Sequence, residues 1–148
     1  MNELDKEKIE EIKKHWETLK KEAKEDLDFS PEGMEFRFDL TQVTIKWLGY
    51  LQDWKKLYIN YEKKRKNLQK ELLLFYKYRT KGGYEFNLET KDEVTLFIET
   101  DERYEVIYEK CQLVYAIMEY CTEVMDKSKN KVWEIKNWIE YQKLIHGK

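Results

Sequence analysis

Proline is nearly absent from this chain, with one among 148 residues, and glycine occurs only five times. Both residues interrupt helices, so most of the sequence lacks the usual breakers. Long apolar runs are missing as well. None approaches the roughly 20 residues that a membrane-spanning helix needs. The N-terminus is charged from Glu3 onward, without the apolar core of a secretory leader. The chain is therefore expected in the cytoplasm, with no membrane partner. Cysteine is sparse too. Cys111 and Cys121 lie ten residues apart on one predicted helix, which separates them by about 15 Å. A disulfide needs Cα atoms within about 7 Å, so the two cannot pair within one chain. Their apolar setting predicts ordinary core thiols.

Catalytic and ligand-binding signatures are equally scarce. There is no glycine-rich phosphate loop, and Gly82-Gly83 alone does not make one. The two histidines, His15 and His146, are isolated, and no Cys/His cluster has metal-ligand spacing. Nothing pairs a nucleophile with a base. We expect no enzyme activity, no metal and no cofactor.

What remains is charge, aromatics and helical periodicity. Charged residues make up 39% of the chain, rich in Lys and Glu, which favours long helices over a compact mixed fold. The 15% aromatic content argues against disorder, because disordered chains lack large apolar side chains. The expectation is an all-α protein, one domain over 1–148, built as a bundle of long amphipathic helices.

The net charge of −2 conceals a sorted distribution. Residues 1–40 carry −5, 41–83 carry +8, 84–126 carry −9 and 127–148 carry +4. Such asymmetry fits an anionic partner for the basic block, and fits equally well basic and acidic helices packing side by side.

Ile9, Ile12, Trp16, Leu19 and Ala23 recur at steps of 3 and 4, predicting an amphipathic helix over about 3–26 within an acidic N-terminal segment, 1–30. Pro31 and Gly33 interrupt it. Phe36, Phe38 and Leu40 alternate, suggesting an extended linker. A helical body over 41–128 follows. Its clearest element is a basic helix over 46–81, with a heptad seam of Leu51, Trp54, Tyr58, Tyr61, Arg65, Leu68, Leu72 and Phe75. Arg65 in that seam either specifies register or snorkels outward, and the snorkelling reading is preferred. Opposite the seam, Lys56, Lys63, Lys70 and Lys77 recur every seven residues, with Lys66 one turn away and Lys64 flanking. A solvated face usually mixes signs, because like charges at i,i+4 repel. This spacing suits a phosphate backbone, so these six lysines are candidate DNA contacts.

For 84–99 alternation permits a hairpin, whereas Thr90-x-x-Glu93 fits a capping box, and we favour a short helix. Tyr104, Ile107, Cys111, Val114, Met118, Cys121 and Met125 form the seam of a helix over 101–127. Ser128-Lys129-Asn130 is either a break or a weak spot. A final helix within 131–148 is strongly apolar. It either buries itself against another subunit, with Ile135, Trp138 and Ile139 as candidate oligomerisation residues, or equally well docks onto its own bundle.

These landmarks resemble the UvsY recombination-mediator family of T-even-type phages. The likeness rests on Lys46-Trp47-Leu48 opening the basic helix and Phe75-Tyr76 closing it with glycine following. It rests further on Phe97-Ile98-Glu99-Thr100-Asp101 and on Glu134-Ile135-Lys136-Asn137-Trp138-Ile139-Glu140-Tyr141-Gln142-Lys143 near the end, with Gly147 beyond. It covers roughly 41–148, and residues 1–40 show no match. The resemblance implies a ring-like homo-oligomer formed through the C-terminal region. It implies binding to single-stranded DNA, to the phage recombinase and to the phage single-strand-binding protein, and help in loading recombinase onto covered DNA in the host cytoplasm. The family's Lys-x-Arg DNA contact falls here on Lys70 and Leu72, so the arginine is replaced by a seam residue. Tyr76, Tyr78 and Tyr84 are positioned either to stack on bases or, as we favour, to pack in the core. The rival expectation is a helical oligomeric scaffold that does not touch DNA.

Overall fold

A computed structural model of the chain describes residues 2–28, 37–77 and 90–147. All regular structure among them is helical: α1 (Glu3–Asp26), α2 (Arg37–Tyr76), α3 (Lys91–Glu99) and α4 (Glu102–Ile145). The fold is an all-α helical bundle, as composition implied.

Local chemistry sets the helix ends. Asn2 Oδ1 accepts the Asp5 amide at 2.8 Å and so caps α1. Thr90 is extended (φ −100°, ψ 151°), and its hydroxyl accepts the Glu93 amide at 3.1 Å. The capping box therefore resolves the 90–99 stretch as a helix. Tyr84, Phe86, Leu88 and Lys81-Gly82-Gly83 lie outside the described residues. Asp101 accepts the Arg103 amide at 2.9 Å ahead of α4, where Glu102 and Glu105 follow in the first turn. Gly147 follows the last turn with φ 66°, a left-handed conformation that costs glycine little.

The chain forms two compact units. The first comprises Met1–Lys13 and Lys56–Tyr115. Its core joins Leu72 and Tyr76 of α2, Val94 and Ile98 of α3 and Tyr104 of α4, with Leu68, Phe75 and Phe97 packed against them. Ile9 and Ile12 of α1 are buried in the same unit, as are Val106, Ile107, Cys111 and Val114 of α4. The buried Lys110 is paired with Asp5 at 3.3 Å, which ties the start of α1 to α4.

The second unit comprises Lys14–Lys55 and Ala116–Lys148. Trp47 is its centre, with no exposed surface. The indole stands edge-on to Tyr50 and Tyr120. Its N–H donates to Asp26 at 2.9 Å, and Lys46 Nζ donates to the same carboxylate at 2.8 Å. Tyr50 donates to Glu22 at 3.0 Å. Burial lowers the Lys46 pKa, but the bonds to Asp26 and Glu22 outweigh it and leave the ammonium held above its ordinary value. The Lys46-Trp47 pair is thus the joint between α1 and α2.

Three sequence expectations change. Residues 37–40 are helical, not extended, because a brief alternation competes poorly with one more turn on an existing helix. There is no break at 128–130, and α4 runs through to Ile145. Ser128 is fully buried and shares a 2.6 Å hydrogen bond with Thr44, so the polar residue that looked like an interruption sits satisfied inside the helix packing. Arg65 does not snorkel free. It forks onto both Glu62 oxygens at 3.0 and 2.9 Å and donates to the Tyr104 hydroxyl at 3.1 Å. The Glu62 carboxyl is held below its ordinary range, first by Arg65.

Candidate nucleic-acid interface

The basic face is built on α2 within the first unit. A strict seven-residue repeat drifts by about 20° per heptad on a straight helix. Lys56, Lys63, Lys70 and Lys77 therefore wind slowly around α2 while remaining opposite the seam. All four are exposed, as are Lys64 and Lys66, whereas no seam residue from Leu51 to Phe75 is.

Some lysines elsewhere in the chain are drawn into ion pairs. On α1, Lys13 and Lys20 are bound to Glu10 and Glu17 by i,i+3 ion pairs. Lys46 is held by Glu22 and Asp26. Lys56, Lys63, Lys66 and Lys70 form no ion pair or hydrogen bond among the described residues. The nearby acid Glu62 is taken up by Arg65. Lys64 leans over the Tyr61 ring at 5.7 Å, away from the stripe.

α3 completes the face in a way the linear pattern did not show. Lys66, Gln69, Lys70, Leu73 and Lys77 of α2 face Lys91, Val94, Thr95 and Ile98 of α3 across a groove of about 380 Å³. Among the described residues four lysines rim this groove, its floor is apolar, and no acidic side chain lines it. Lys91 lies fourteen residues beyond Lys77 in the sequence. It was missed because its block, 84–126, is strongly acidic, and only the packing of α3 brings it to the basic helix. Lys56, Lys63 and Lys64 are not part of the groove.

Two other expectations are resolved. Tyr76 is buried, donates to Asp101 at 2.6 Å and packs edge-on to Phe75 and obliquely on Phe97. Burial and the Asp101 carboxylate push its hydroxyl up to about 12. It is a core residue and does not offer a free face to a base. Tyr78 and Tyr84 lie outside the described residues. Apolar side chains exposed on this stretch of α2 are instead Ile59, Leu73 and Leu74. Leu72, at the position of the family arginine, is 1% exposed among Val94, Ile98 and Tyr104, so no cation belongs there.

In the second unit, Ile135 is 1% exposed and packs within the chain, which removes it from any free surface. Ile139 is half-buried. Trp138 stands 45% exposed, along with Trp133, Tyr141, Leu144 and Ile145. Cys111 and Cys121 are free and buried, and burial pushes both thiols up to about 11. His15 lies edge-on to Trp54, and His146 bonds Gln142. Among the described residues no cluster could hold a metal ion, and no helix is long and apolar enough to cross a membrane.

A family model described as "Recombination, repair and ssDNA binding protein UvsY" matches residues 35–148. The crystal structure of the bacteriophage T4 recombination mediator protein UvsY is similar in fold, with a TM-score of 0.77 and 21% sequence identity. The alignment covers 89% of this chain and 97% of that one. No curated protein sequence matches the chain.

Proposed function

The chain belongs to the UvsY family of recombination, repair and single-stranded-DNA-binding proteins, and from that premise we propose that it is a recombination mediator that grips single-stranded DNA through the basic face of α2. It is a non-enzymatic member of that family. The observation that carries the reading is the row of exposed, unpaired lysines on α2, Lys56, Lys63, Lys66 and Lys70. Unpaired ammonium groups release counterions from a phosphate backbone without first breaking an internal ion pair. Lys64 and Lys77 extend the path.

A subunit of net charge −2 binds DNA weakly by itself. Assembly into a ring-like homo-oligomer multiplies such sites through effective concentration. The exposed Trp138, with Trp133, Tyr141 and Leu144 beside it, supports self-association through the end of α4. Gathered on one assembly, the sites hold a strand while recombinase displaces the single-strand-binding protein, both being partners of the mediator in the phage-infected cytoplasm.

The test is a salt titration of binding to a fluorescent single-stranded oligonucleotide, with oligomeric mass followed by sedimentation. A Lys63/Lys66/Lys70→Ala variant is expected to keep its mass and helicity. Its log–log salt slope falls by about 2, at about 0.7 per phosphate contact. If the folded parent ignores DNA even at low salt, direct binding is wrong and the chain is a helical scaffold.

A further inference from the structure

The groove between α2 and α3 has a composition that neither a plain electrostatic track nor a plain protein-docking face requires. Lys66, Lys70, Lys77 and Lys91 stand at its rim, and Leu73, Val94 and Ile98 form its floor, with Thr95 beside them. Its size lies within the range of about 300–1,000 Å³ typical of small-molecule sites. An inorganic anion would use the rim and waste the floor. An apolar helix would use the floor and bury ammonium groups against it at high cost. A single nucleic-acid strand alternates the two chemistries along its length, with phosphates on one side and flat, weakly polar base faces on the other.

We propose that this groove is a nucleotide-sized subsite, in which phosphates lie between the α2 lysines and Lys91 while a base rests against Leu73 and the apolar floor. The subsite deepens the reading of α2 as the DNA-binding face and rests on it. Lys91 is a DNA contact supplied by a different helix, which turns a one-sided track into a two-walled one. Contact with base faces makes the site selective for single strands, since the bases of a duplex are stacked inside. It also makes the site tolerant of sequence, because it reads no base edge.

The experiment compares binding of oligothymidylate and of an abasic oligonucleotide of equal length across a salt series. The proteins are the full-length parent, Lys91→Ala, Lys91→Arg, Leu73→Gln, Lys63/Lys66/Lys70→Ala and the control Lys13→Ala, each checked for helicity and mass. The parent is expected to prefer oligothymidylate. Lys91→Ala is expected to lose about 0.7 of salt slope, so that the affinity drop between about 50 and 200 mM salt shrinks by about 2.6-fold, and Lys91→Arg to restore it. Leu73→Gln is expected to keep the slope and lose the preference for bases. If Lys91→Ala matches Lys13→Ala while the triple variant loses binding, the subsite is wrong and the α2 track stands. If the parent binds both oligonucleotides equally, the base contact is wrong. If the parent binds neither, both readings fail.

Discussion

Asp26 shows how a single side chain can define a joint. Its carboxylate accepts from both the fully buried Trp47 indole and Lys46. Asp26→Ala leaves a buried N–H without its partner, and such a loss costs about 1–3 kcal/mol. Urea unfolding followed by circular dichroism is expected to show that loss. Asp101 is a second such residue. Burial alone would raise its pKa, but Arg103 and Tyr76 outweigh it and hold the carboxyl below its ordinary value of 3.8. A depressed carboxyl contributes stability that is complete above the unfolded value and drains as pH falls through the folded one. The urea midpoint is therefore expected to fall as pH drops below about 4, and to fall less steeply in Asp101→Asn, which has no such proton to gain. Equal acid sensitivity in the two proteins would remove Asp101 from that role.

At the scale of elements, periodicity was the dependable signal. The seams of α2 and α4 and the buried face of α1 were all readable as steps of 3 and 4, because one helical face must be apolar to pack. Boundaries were less readable. The buried Ser128 hydroxyl inside α4 is satisfied by Thr44, a residue 84 positions away, and local sequence carries no trace of that partner. α3 is the opposite case, since its start is written locally in Thr90 and Glu93. Thr90→Ala is expected to destabilise the protein by about 1 kcal/mol in thermal or urea unfolding. Because α3 carries Lys91, the same change is also expected to weaken DNA binding modestly. A variant with the stability loss and unaltered binding would separate α3 from the interface.

For the whole molecule, the proposed self-association is the property to test. The end of α4 leaves Trp133, Trp138, Tyr141 and Leu144 exposed, while Ile135 is spent on the chain's own core. Exposed tryptophans are frequent anchors of interfaces, and their loss commonly costs more than a factor of ten in affinity. Trp138→Glu is expected to raise the concentration for half-assembly by about tenfold or more in sedimentation velocity, with helicity retained. Ile135→Ala, by contrast, acts first on folding, as a buried aliphatic truncation costing about 2–5 kcal/mol. If Trp138→Glu leaves the mass distribution unchanged, assembly uses another surface.

The helical class, the apolar seams, the lysine row and the family landmarks were all present in the sequence by itself. Each is a repeat or a short run, and a helix converts linear spacing directly into a shared face. What the tertiary structure alone decided concerns partners distant in the chain. It placed Lys91 of an acidic block beside the basic helix, bound Arg65 to Tyr104, and buried Tyr76 against Asp101. It also joined α1, which lies outside the family match, to the rest through Asp5–Lys110 and Asp26–Trp47. The physical reason is the same throughout. Spacing along one helix is set by its own backbone geometry, whereas which helix meets which is set by burial and by satisfying buried polar groups across the fold.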